Sequence, residues 1–123
     1  ETLQRFLLLQ ARGSQHSRET IKALAMQLAT LNPAHPEALS QGLSLLIDLD
    51  MRHALSELSC PAIMILGERD TLIPSTMTAE ALNLNPTLET RLIVGAGHAP
   101  FISHTAECHQ AVMAFIESET RDD

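Results

Sequence analysis

The chain has 123 residues, is 45% apolar and carries a formal net charge of −7, which suits about one globular domain. Its apolar content is aliphatic: Phe6, Phe101 and Phe115 are the only aromatic side chains. Aromatic platforms for single-stranded nucleic acid are therefore missing, and the acidic balance argues against a general phosphate-backbone binder.

The charge is unevenly placed. Residues 1–31 net +2 through Arg5, Arg12, Arg18 and Lys22, whereas residues 59–123 net −6. The basic piece reads either as a solvated helix face or as a surface for an acidic partner. Cys60 and Cys108 lack metal-ligand spacing and are too few for a disulfide framework, so both are expected as buried thiols in a reducing compartment. No signal-peptide pattern is present, and no apolar run approaches the ~18 residues of a membrane span. The expectation is a cytoplasmic protein with neither membrane nor nucleic acid as a partner. The chain starts at Glu1 rather than Met, which suits a piece of a longer protein.

The first half reads as helices. Leu3, Phe6, Leu7 and Leu9 mark a helix over residues 1–12, with Gly13 placed to end it. Ser17 can cap a second helix, in which Ile21, Leu24, Ala25, Leu28 and Leu31 recur at helical spacing before Asn32-Pro33 stops it. Pro36 suits the first position of a third helix reaching about Ile47, and a helical turn follows at Ala54–Leu58.

The pattern changes at Cys60-Pro61. "AIMIL" (62–66) is a continuous apolar run ending at Gly67, as expected of a strand buried on both faces. Pro74 and Ser75 open a helix that fades at Asn83–Pro86, and "TRLIV" (90–94) is a second strand ending at Gly95. A last helix runs from about Thr105 to Glu117, with Ala106, Val112, Met113, Phe115 and Ile116 as its apolar face. Strands alternating with helices imply an α/β fold with a parallel sheet. Two strands are too few for a stable sheet, so the chain reads as part of an α/β fold.

In parallel α/β sheets, functional groups gather in loops at the carboxyl ends of strands. "GERDTLIP" places Asp70 four residues past the first strand, and "GAGHAPF" places His98 four residues past the second. If the strands are neighbours, both side chains project from one rim. An aspartate that accepts from one imidazole nitrogen fixes the tautomer and leaves the other nitrogen to take a proton from a nucleophile. Singly, Asp70 suits an Asx-turn and His98 a structural loop histidine; together, at matching strand ends, they read as acid and base. Gly95 and Gly97 permit unusual backbone angles and close approach around His98. His104 suits the start of the last helix, with Glu107 in capping-box position. Cys108-His109 has no further ligand pair, so no metal is expected. No nucleophile accompanies the pair: "GLSLL" (42–46) lacks the second glycine of a G-x-S-x-G elbow and lies within a helix.

"SCPAIMILGERDTLIP" and "RLIVGAGHAPFISHTAE" resemble the acid and histidine segments of α/β-hydrolases. "LQRFLLLQARG" (3–13) and "HAPFISHTAEC" (98–108) resemble the pimeloyl-acyl-carrier-protein methyl ester carboxylesterases of bacterial biotin synthesis. In α/β-hydrolases the triad runs Ser, then Asp or Glu, then His along the chain, so a chain holding only the last two fits a C-terminal portion whose serine lies upstream. The resemblance implies that Asp70 and His98 are triad acid and base, and that residues 1–58 are a helical cap over a core at 59–123. It further implies that Phe6, Leu7, Leu8, Leu9 and Gln10, with His98, line the substrate channel. Arg5, Arg18 and Lys22 would then face an acyl carrier protein bearing a pimeloyl methyl ester. The acyl-enzyme route it implies needs no metal or organic cofactor. Thr105 stands where such enzymes commonly have proline, and Cys108-His109 where a larger apolar residue is frequent. Other α/β-hydrolase substrates, and a non-catalytic carrier-binding helical module, are the competing readings.

Overall fold

The pivot of the structure is a pair of parallel strands, β1 (Ile63–Gly67) and β2 (Glu89–Ile93), joined through a single helix. The computed structural model describes Arg5, Leu8, Leu9, Arg12 and residues 17–120. Register runs from Ile63 opposite Glu89 to Gly67 opposite Ile93, so both strands end at the same level. Main-chain bonds extend the ladder at each end, from Glu89 N–H to Ala62 O (2.9 Å) and from Glu68 N–H to Ile93 O (3.0 Å).

Among the described residues the strands are accompanied by α1 (Ser17–Ala29), α2 (Pro36–Asp48), α3 (Arg52–Ser56), α4 (Met77–Leu84), α5 (Pro100–Ser103) and α6 (Thr105–Glu119). Ser17 lies within α1 rather than before it. α2 begins as expected at Pro36, whose missing N–H costs nothing in a first turn, and the His35 ring accepts from Glu37 N–H at 3.3 Å. The turn expected at 54–58 sits at Arg52–Ser56, and α4 starts at Met77 rather than at Pro74. The chain first makes tight turns there, Met77 N–H to Pro74 O and Thr78 N–H to Ser75 O. Of the helix expected over residues 1–12, Arg5, Leu8 and Leu9 are helical, and the rest, apart from Arg12 in a turn, lies outside the described residues.

α6 packs on both strands and α5 packs on α1. Ile93, Ala96 and Cys108 form the buried cluster between sheet and helix, with half-buried Ile65 packed against it, and Leu66 and Ala111 are buried as well. The packed stripe of α6 is therefore Cys108 and Ala111, with Phe115 half-buried, while Ala106, Val112, Met113 and Ile116 of the expected face are exposed. Two strands cover one narrow stripe of a helix and leave its flanks bare. The same shortage leaves most of β1 only half-buried instead of enclosed on both faces. Cys60, expected inside, is exposed because it precedes the strand, and only Cys108 is buried.

Besides the packing of α1 on α5 and of α3 on α4, one buried polar residue ties the helical first half to the α/β half. Asn85, 4% exposed at the end of α4, donates from Nδ2 to Leu55 O (3.1 Å) and Leu58 O (3.3 Å). Its Oδ1 accepts from Thr87 N–H (3.0 Å) and the Thr87 hydroxyl (2.7 Å). The side chain thus ties the α3 turn to the turn entering β2, with every polar atom satisfied. Asn85→Ala leaves two carbonyls and Thr87 without these partners, and should cost about 1–3 kcal/mol. Urea unfolding should show a lower midpoint at unchanged m; an unchanged midpoint would show the knot to be idle.

Candidate active site

The loops after β1 and β2 lie side by side because almost nothing separates them at their start. A Cβ on Gly67 would stand 2.1 Å from Gly97 O and 2.6 Å from Ala96 O, so no larger residue fits without moving backbone. Gly95 takes φ 76, the left-handed region that L side chains avoid. Gly97 does not share that conformation; its carbonyl is instead the surface against which Gly67 packs. The residues after Gly67 then bridge the gap in order. Glu68 accepts from Gly95 N–H at 2.9 Å, Arg69 N–H donates to Ala96 O at 2.8 Å, and Asp70 meets His98.

Asp70 does two things at once. Its Oδ1 accepts from Leu72 N–H (2.8 Å) and Ile73 N–H (3.0 Å), which is the Asx-turn, while Oδ2 lies 2.9 Å from His98 Nδ1. The two sequence readings of this residue are one structure: the turn aims the second oxygen at the ring. The Asp70 side chain is 4% exposed and the His98 side chain 33%. Burial raises the carboxyl, but the Ile73 N–H, the His98 ring and the Leu72 N–H outweigh it and hold Asp70 below the ordinary carboxylate range. An ionised carboxylate only accepts, so Nδ1 carries the proton and Nε2 of the neutral ring is left as an acceptor. Among the described residues nothing hydrogen-bonds to Nε2. An imidazole held in this way can take a proton from a nucleophile placed at Nε2.

The other expected site residues lie elsewhere. Arg18 and Lys22 are exposed on α1, and their spacing of four puts them on one face of it. Arg5, Leu8 and Leu9 are helical and exposed, while Phe6, Leu7 and Gln10 lie outside the described residues. His104 precedes α6 without a capping side-chain bond; its Nδ1 instead meets the Ser103 hydroxyl at 2.8 Å, which displaces the expected capping box. The Ser103 hydroxyl donates to Ala99 O at the start of α5, a short helix where the sequence suggests only a lead-in to the last one. Among the described residues no group of three His, Cys, Asp or Glu side chains could hold a metal ion. No helix among them is long and apolar enough to cross a membrane.

Because folding lowers the affinity of Asp70 for a proton, the unfolded chain takes up that proton first as pH falls. The stabilisation from Asp70 is fully present above about pH 4 and is lost as the pH drops through the lower folded value. The difference in unfolding free energy between the wild-type chain and Asp70→Asn should therefore be widest above about pH 4 and close below it. A difference that grows as acid is added would contradict this.

No family model matches the chain. Among curated proteins, it is 41% identical over 117 residues to a pimeloyl-[acyl-carrier protein] methyl ester esterase of Xanthomonas oryzae pv. oryzae, covering 95% of this chain and 46% of that protein. A protein of the same name from Photobacterium profundum is 39% identical over 116 residues, again 94% of this chain and 46% of the other. The chain thus spans about half the length of the curated relatives it matches. Among solved structures, a bromoperoxidase from Bacillus anthracis superposes with TM-score 0.79 at 19% identity, over 94% of this chain and 43% of that one. An alpha/beta fold family hydrolase from the same species gives 0.53 at 20% identity, over 93% and 46%. The chain carries part of an α/β-hydrolase fold, and along nearly its whole length it is similar to pimeloyl-[acyl-carrier protein] methyl ester esterases.

Proposed function

We propose that this chain supplies the acid and base of a serine carboxylesterase, with Asp70 orienting His98 and His98 acting as general base. The observation that carries the reading is the 2.9 Å contact between Asp70 Oδ2 and His98 Nδ1, with Nε2 left open. In this reading a serine hydroxyl from a preceding half of the fold gives its proton to Nε2 and attacks the ester carbonyl. His98 then returns the proton to the departing methanol, and water repeats the cycle on the acyl-enzyme.

The substrate we infer is the methyl ester of a pimeloyl chain held on an acyl carrier protein. The relatives' names support it, and so does the net +2 of residues 1–31 against an acidic carrier. Arg18 and Lys22, exposed four residues apart on α1, suit contact with such a surface, with Arg5 contributing from the segment before it. Residues 1–58 then act as the cap and 59–123 as core, the reaction taking place in the cytoplasm. The preceding half of the fold is the second partner this reading requires. Uncovered apolar side chains on β2 (Leu92, 49% exposed) and just beyond it (Val94, 69%) support that requirement.

The chain alone should not hydrolyse a p-nitrophenyl ester. Joined to the serine-bearing half of one of the curated relatives, it should hydrolyse the methyl pimeloyl-carrier substrate faster than short acyl esters. There, either Asp70→Asn or His98→Ala should lower kcat by about 10³-fold or more. Full rate in both variants would overturn the assignment.

A further inference from the structure

Glu68 is an exposed carboxylate two residues ahead of Asp70, and the mechanism above gives it no part. Its position in the loop pair is nonetheless specific. Its main-chain N–H continues the strand ladder to Ile93 O at 3.0 Å, and its Oε2 accepts from Gly95 N–H at 2.9 Å. Gly95 is the residue held at φ 76, where the chain turns out of β2 toward His98. A glycine has the widest choice of backbone conformations of any residue, so something must select the left-handed one here. The Glu68 carboxylate grips the N–H of that very residue. Arg69 and Asp70 then meet Ala96 and His98 in turn, so Glu68 makes the first of three successive contacts between the loops.

We propose that Glu68 is a positioning residue: by accepting from Gly95 N–H it fixes the turn that carries His98 to Asp70. The proposal rests on the reading of His98 as the base only for its kinetic consequence; the geometric claim stands apart from it. What matters is reach rather than charge. Glu68→Gln loses the charge but keeps an oxygen at the same distance along the chain, whereas Glu68→Asp keeps the charge and draws it back by one methylene.

The test compares Glu68→Gln, Glu68→Asp and Glu68→Ala by NMR in this chain. The readouts are hydrogen-exchange protection of the Gly95 amide and the low-field His98 Nδ1–H resonance, assigned with His98→Gln. The expected result is that Gln keeps both signals, whereas Asp and Ala lose Gly95 protection and broaden the Nδ1–H resonance. In the enzyme completed with its serine-bearing half, Asp and Ala should lower kcat about tenfold at unchanged KM, and Gln should restore it. If Ala prevents folding, the Gln and Asp variants decide the matter. An Asp variant that keeps both signals while Gln loses them would overturn the proposal, as would all three variants behaving like wild type. If the NMR pattern is as expected but the completed wild-type enzyme hydrolyses no ester, the esterase reading falls and the positioning role of Glu68 stands.

Discussion

The rim that holds Asp70 and His98 depends on one close approach, that of Gly67 to the backbone of Ala96 and Gly97. With a hydrogen in place of a methyl at Gly67, the two loops meet at the first residue beyond the strands. Every later contact inherits that spacing. Glu68 reaches Gly95, Arg69 reaches Ala96 and Asp70 reaches His98, each within ordinary hydrogen-bond distance. The parallel register, with β1 and β2 ending level, puts the loops on the same side; Gly67 sets how near they come. A single Asp–His contact on an open surface would be weak and mobile. Here the carboxylate is buried and anchored by two backbone N–H groups before it meets the ring, so its position is settled by the loop rather than by the histidine.

The rest of the molecule is built around this rim but does not cover it. α2 has no buried residue, and Leu39, Leu43, Leu46 and Ile47 on it are all more than half exposed. Leu92 and Val94 are bare on and beside β2, and α6 touches the sheet through a single stripe. Apolar area of this extent is what contact surfaces look like. It agrees with a chain that spans about half the length of its curated relatives and superposes on less than half of a larger alpha/beta fold family hydrolase structure. The Asp–His geometry forms despite this bareness because its contacts are local to two short loops.

That locality explains what could be read from sequence. Two apolar runs ending in glycine gave away both strands, and Asp70 and His98 stood out because they follow the strands at matching distances. α2 was legible from Pro36. Features that depend on what lies across a gap were not. Gly67 looked like a strand end, although it is the glycine whose replacement would collide with backbone. Glu68 draws no reading from sequence, because nothing in "GERD" says which amide will face it. Asn85 lay in a fading helix end, and its worth comes from carbonyls 27 and 30 residues earlier. The face of α6 was misjudged for a related reason. Helical periodicity marks which side chains could be buried, and Cys108 and Ala111 are buried because the two-stranded sheet reaches only them.

The central claim is that Asp70 holds His98 with its proton on Nδ1 and its Nε2 open to accept another. Nitrogen-15 NMR of the histidine rings at neutral pH reads this directly, with His98 assigned by substitution. The account predicts a His98 ring protonated at Nδ1 and bare at Nε2, shifting toward the Nε2-protonated tautomer in Asp70→Asn. A His98 protonated at Nε2 in the wild-type chain would contradict it.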